Sequence, residues 1–210
     1  MGLPNGLWAD DVGAAYHSLV CAALGADCSV VSWGGMGLVW NDVPSWTWPT
    51  LPQVYGSALA WQVQVDGPGH SLSAPWNFSS FIPSAVLINL GTNDAWALQN
   101  ASNQAKWAKA MAGFVTGIAA TYAAAAPGAA APHFFLGYGP MSTAYLPPLL
   151  SAIEALRAGT SIAVTLLDMT LNKTLDCGHP SAADHVLMAR KVLGNISSTM
   201  GWGEAVKRGS

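Results

Sequence analysis

Charge is scarce in this sequence. Of its 210 residues only eight are Lys or Arg and eleven are Asp or Glu. The net charge of −3 gives no basic footprint for nucleic acid and no polybasic patch for a membrane surface. Few charges do not mean disorder, because 51% of the residues are hydrophobic. Metal-ligand spacing is also missing. There is no CxxC pair and no HExxH, so no metal site is expected. Cysteine is sparse: Cys21 and Cys28 can pair with each other, or either with Cys177, leaving one thiol over. Long apolar runs are absent. The longest weakly polar stretch, Met111 to Pro132, is built of Ala, Gly and Thr and broken by Pro127-Gly128, so no membrane span is read. Met1 to Asp10 contain neither a basic n-region nor an apolar h-region, the marks of a secretory leader.

What is present is tryptophan and a set of glycosylation sequons. Ten Trp is a high count, and exposed indoles stack on flat apolar faces, those of sugar rings included. Sequons occur at Asn77, Asn100, Asn172 and Asn195, where about one is expected by chance. They favour a secreted protein weakly. The missing leader argues the other way, and the compartment stays open.

Periodicity gives an alternation of strands and helices. Ala14 to Leu24 carries helical spacing and Gly25 is a plausible stop. Cys28 to Trp33 reads as a strand, followed at once by Gly34-Gly35-Met36-Gly37. Val39 to Phe81 reads as a long aromatic loop with a short helix near Val54 to Ala60. Val86 to Leu90 is a short β-branched run closed by Gly91, a buried parallel strand. Ala101 to Ala126 is a helix, with Trp107, Met111, Phe114, Val115 and Ile118 on one face. His133 to Gly137 and Ser161 to Leu167 read as strands. Leu146 to Ala158 and Ala182 to Leu193 read as helices. This order predicts a single α/β domain over residues 1–210, with a parallel sheet covered by helices on both faces.

Chemistry belongs just beyond the carboxyl ends of such strands. Two polar turns sit there. Gly91-Thr92-Asn93-Asp94 follows one strand, and the Asn93 amide can donate two hydrogen bonds. The plainer reading is a turn whose Thr92, Asn93 and Asp94 cap the next helix. Asp176-Cys177-Gly178-His179-Pro180 precedes the last helix. Asp176 can reach back to the Nδ1 of His179 and leave Nε2 as a general base. The Gly34-Gly35-Met36-Gly37 turn can offer backbone N–H groups to an anion. Its glycine spacing fails the dinucleotide fingerprint, so no nucleotide cofactor is expected. Trp46 and Trp48, in the long loop, and Trp96, just past Asn93, are the candidate substrate-binding residues.

These blocks together resemble the SGNH hydrolases, the GDSL-like esterases and lipases. Gly91-Thr92-Asn93-Asp94 and Asp176 to Pro180 are similar to the third and fifth blocks of that superfamily, and Ser32 to Gly37 to the second. The nearest likeness is to the second carbohydrate esterase family, which deacetylates plant polysaccharides, and it extends over nearly the whole chain from about Ala14. The resemblance implies a three-layer α/β/α sandwich (SGNH hydrolase or flavodoxin-like) and serine-ester chemistry on an acetylated polysaccharide or other ester. It implies that the Gly35 N–H and the Asn93 side chain stabilise an oxyanion, that His179 moves the proton and that Asp176 orients it. It implies no metal or organic cofactor.

One block is absent. The superfamily's Gly-Asp-Ser turn, which carries the nucleophile, has no counterpart, and Ala14 to Leu19 already matches the helix after it. Ser18, on that helix, and Ser29 and Ser32, near the next strand, are poor substitutes. The expectation is therefore an amino-terminally truncated domain missing its first strand, with an exposed sheet edge and weak or no hydrolysis. Two other readings stand beside it: an inactive glycan-binding protein, and an esterase of a lipid or small acyl ester. A lesser departure is Asp184-His185, where the family usually has Gly-His.

Overall fold

The computed structural model describes residues 11–58, 74–172, 175 and 178–203. In chain order the described elements are α1 (Tyr16–Leu24), α2 (Leu51–Val54), β1 (Ala85–Ile88), α3 (Ala101–Ala125), β2 (His133–Tyr138), α4 (Leu146–Gly159), β3 (Val164–Asp168) and α5 (Ala182–Met200), with short 3-10 turns between them. The strands form a parallel sheet in the order β1-β2-β3. β1 and β2 run in register from Ala85 opposite His133 to Ile88 opposite Leu136. This is the expected α/β class. The chain divides into two compact units, one of Met1–Ser29, Gly139–Met141 and Leu167–Ser210, the other of Val30–Tyr138 and Ser142–Leu166.

The second unit holds the main core. α3 starts where Asn100 caps it, its Oδ1 accepting from the Asn103 N–H, which satisfies one orphan donor of the first turn. Trp107, Met111, Val115 and Ile118 then recur at helical spacing, and all are buried. They pack with Phe134 and Leu136 of β2 and with Leu149, Ile153 and Leu156 of α4. Pro147 and Pro148 are tolerated because they sit in the first turn of α4, where an N–H would lack a partner anyway.

In the first unit α1 packs on α5. α1 ends at Gly25, in the left-handed region at φ 60°, as the sequence predicts. A disulfide joins Cys21 to Cys28, one of the open pairings; Cys177 lies outside the described residues. The Tyr16 N–H donates to Nδ1 of His185 at 3.2 Å, and the two rings stack with centroids 6.0 Å apart. An Nδ1 that accepts carries no proton, so this imidazole is neutral with its hydrogen on Nε2. α5 opens on a capping box in which Ser181 and Asp184 satisfy each other's backbone N–H.

Three sequence readings need correction. Cys28 to Trp33 is not a strand. No neighbouring ladder is found for it among the described residues, and Val30 and Val31 are 49% and 44% exposed. β-branched composition suits a strand but cannot supply the partner that makes one. The short helix is α2, ahead of the stretch around Val54 to Ala60. A capping box between Thr50 and Gln53, with Pro52 in the first turn, fixes its start. Residues from 59 to 73 lie outside those described. α5 runs on past Leu193 to Met200, because its natural stop is Gly201 at φ 68° rather than Gly194.

Candidate functional site

The glycine turn and the Gly91-Thr92-Asn93-Asp94 turn meet in the second unit. The Asn93 Nδ2 donates to the Met36 carbonyl at 2.8 Å. An amide nitrogen carries two N–H groups, so one remains after this bond is made. Gly35 holds φ 80°, and a Cβ built on it would lie 2.3 Å from the Trp46 ring. Glycine is thus required there twice, by backbone conformation and by the indole lying on it.

Asp94 does not cap a helix. Its side chain makes no cap bond to the 3-10 turn that follows it. It is fully buried, and its carboxylate accepts from the N–H groups of Leu38, Val39 and Trp40, each at 2.8 Å. A buried carboxylate without donors would be very costly, and three backbone N–H groups supply them here. Gly37 makes room for it, since a Cβ there would stand 2.7 Å from an Asp94 oxygen. The Gly37 N–H goes to Oδ1 of the buried Asn41 at 3.2 Å. Four consecutive backbone donors, from 37 to 40, are therefore held by two side chains.

Asn41 also links this loop to the aromatics. Its Nδ2 donates to the Trp48 carbonyl at 2.9 Å, and its own carbonyl accepts from Nε1 of Trp96 at 2.9 Å. Trp46 and Trp48 pack with ring centroids 4.6 Å apart. Together with Trp40, Trp46, Trp48 and Trp96 line a cavity of about 140 Å³, whose wall includes Asn41 and Thr50. Trp96 is 44% exposed, which leaves indole surface at the cavity available for stacking. The Lys106 ammonium lies 5.0 Å from the Trp40 ring centroid, a cation–π contact.

The structure thus brings together five of the seven residues named from the sequence: Gly35, Asn93, Trp46, Trp48 and Trp96. His179 belongs to the other unit, where it is exposed between Gly178, at φ 77°, and the Ser181 cap of α5. Asp176 lies outside the described residues. Ser18 donates its hydroxyl to the Val12 carbonyl at 2.6 Å. Among the described residues no cluster of His, Cys, Asp and Glu could hold a metal ion, and no helix is long and apolar enough to cross a membrane.

Sequence reasoning missed Asp94 and Asn41 as the framework of this site. The available signal was the run of backbone donors from Gly37 to Trp40 in a loop, which demands acceptors from somewhere.

No protein-family model matches the chain. In sequence it is similar to the cellulase/esterase CelE of Acetivibrio thermocellus, 24% identical over 201 residues, which are 90% of this chain and 22% of that protein. In structure it is similar to a family two carbohydrate esterase from Clostridium thermocellum in complex with cellohexaose. That match has a TM-score of 0.73 and 22% identity over 95% of this chain and 57% of the other. It is also similar to an acetyl xylan esterase, Est2A, from the rumen bacterium Butyrivibrio proteoclasticus. Here the TM-score is 0.73 and the identity 20%, over 92% of this chain and 57% of the other. The chain spans about a fifth of the curated relative and somewhat over half of these solved chains. The fold is similar to that of these carbohydrate esterases, in keeping with the resemblance read from the motifs.

Proposed function

We propose that this chain carries the oxyanion and glycan-binding part of a polysaccharide ester hydrolase of the deacetylating kind. The observation that carries this reading is the bond from Asn93 to the Met36 carbonyl, which ties a side-chain amide to the glycine turn at Gly35. In the proposed chemistry the Gly35 N–H and the second N–H of Asn93 stabilise the negative oxygen of the tetrahedral intermediate. His179 takes the proton from the attacking hydroxyl and returns it to the leaving sugar alcohol, with Asp176 orienting the imidazole. Trp46, Trp48 and Trp96 stack on the sugar rings. The similarity of the fold to carbohydrate esterases, one of them bound to cellohexaose, supports a polysaccharide as the substrate class.

The sequence contains no Gly-Asp-Ser turn, and Ser18 already bonds the Val12 carbonyl. We therefore expect slow hydrolysis from this chain, with water supplying the attacking hydroxyl and the oxyanion donors holding the rate above the uncatalysed one. The same two observations favour a second reading, a glycan-binding protein without turnover. Titration of the chain with acetylated xylo-oligosaccharides and with cellohexaose, followed by tryptophan fluorescence, tests the glycan part common to both readings. Saturable quenching that Trp46→Ala weakens is expected. A chain that binds neither sugar, yet cleaves p-nitrophenyl esters of long acyl chains, would point to lipid-type substrates instead.

A further inference from the structure

The loop from Gly35 to Asn41 has no regular secondary structure to hold it, yet it presents both the Gly35 turn and part of the lining of the tryptophan cavity. Helices and strands satisfy their backbone internally, and this loop does not. Its donors at Leu38, Val39 and Trp40 instead converge on one carboxylate, that of Asp94. That carboxylate is adjacent in sequence to Asn93, whose amide bonds the same loop at Met36. Gly37 allows the approach, its α-carbon facing the Asp94 carboxylate and the Trp40 carbonyl with no room for a methyl group.

We propose that Asp94 is a positioning residue: its carboxylate locks the Gly35–Asn41 loop so that the Gly35 turn, the Asn93 amide and the tryptophan cavity hold one geometry. The assignment rests on the glycan-ester reading for what the geometry serves. The lock itself rests on hydrogen bonds alone. Negative charge is central to it, because a carboxylate offers two acceptor oxygens to three donors. An asparagine has nearly the same shape but turns one of those oxygens into an NH2, which meets a backbone N–H donor to donor. Phosphate-binding loops use consecutive N–H groups in this way for an external anion; here the anion is built in.

The test uses the full chain and two readouts. Amide hydrogen exchange is measured first in the wild type, where the amides of residues 38–40 are expected to be protected although they lie in a loop. Exchange there as fast as in exposed turns would overturn the lock without any variant. Asp94→Asn is then expected to speed exchange at 38–40 by about tenfold or more while leaving β2 and the middle of α3 at wild-type rates. A rise spread evenly over the chain would mean a general folding role and would overturn the positioning assignment. Should Asp94→Asn fail to fold, Gly37→Ala displaces the loop with the carboxylate intact and is expected to give the same local signature.

The second readout is cellohexaose affinity by tryptophan fluorescence. Asp94→Asn is expected to lose about tenfold, whereas Glu154→Gln, which removes an exposed carboxylate on α4 instead, stays within about twofold. Locally raised exchange with unchanged affinity would overturn the positioning role. Protected amides at 38–40 in a wild type that neither binds nor hydrolyses any glycan ester would defeat the functional reading, and the positioning role with it, while leaving the lock visible by itself.

Discussion

The two turns that the sequence marks as chemical are built in opposite ways. The Gly35–Asn41 loop is bound by side chains: Asp94, from a distant turn, takes three of its donors, the loop's own Asn41 a fourth, and Asn93 bonds its Met36 carbonyl. The turn at Gly178 to Ser181 is organised by the helix it precedes, through the capping box of Ser181 with Asp184. His179 stands exposed on it. One region is held by side chains paired with its backbone, and the other by the start of a helix. The difference teaches where function is fragile. A single buried carboxylate supports most of the first site, while the second should survive most changes short of losing α5.

The sharpest way to break this comparison is to remove the carboxylate altogether. Asp94→Ala leaves three backbone donors, one buried and two partly buried, without their acceptor and should cost about 3–5 kcal/mol, read from urea unfolding. A cost under 1 kcal/mol would mean that the two regions are equally tolerant. Next comes the disulfide. Cys28→Ser opens the Cys21–Cys28 loop and should cost about 2–3 kcal/mol in the same assay, confined to the α1 side. Ser181→Ala, which deletes the cap under His179, should cost only about 1 kcal/mol. If it cost more than Asp94→Ala, the comparison would be reversed.

A gentler probe is pH. Burial pushes the imidazoles of His17 and His185 below their ordinary value of 6.5, and His185 is lowered further by the charge of His17, against the opposing carboxylate of Asp184. Groups lowered in the folded state bind fewer protons there than in the unfolded chain. Their contribution is therefore complete above pH 6.5 and declines as pH falls through the lowered values. Protonation at Nδ1 also breaks the bond from the Tyr16 N–H. Half-buried His133 in the sheet, also lowered by burial, adds to the same trend, so the share of the α1–α5 contact is read from His185→Gln, which should flatten the profile in part. Equal stability of the wild type at pH 7.5 and pH 5 would contradict this.

How legible the molecule was follows from the range of its interactions. Helix α3 was readable because Trp107, Met111, Val115 and Ile118 report their own burial through spacing, and α4 because Pro147-Pro148 marks its start. β1 was readable from a β-branched run closed by Gly91. The run from Cys28 to Trp33 has the same local character, yet strand identity depends on a neighbour that composition cannot name. At the candidate site, Gly35 and Asn93 stand in short motifs and the tryptophans stand out by composition, so these five could be named from the sequence. The sequence offers Asp94 no role beyond a turn or cap residue, because its partners lie 54 to 56 positions away. Long-range pairing of a side chain with loop backbone has no local signature, and Asn41, inside the loop it holds, was overlooked for want of any periodic pattern.

The central claim is that the Asn93 amide and the Gly35 turn act on an acetyl ester. Acetate release from acetylated xylan, assayed side by side with wild-type chain and Asn93→Ala, tests it most directly. The account predicts slow but measurable release by the wild type and a fall to the blank rate in Asn93→Ala, since losing one oxyanion donor costs about 10²–10³ in rate. Equal rates in the two proteins would contradict it.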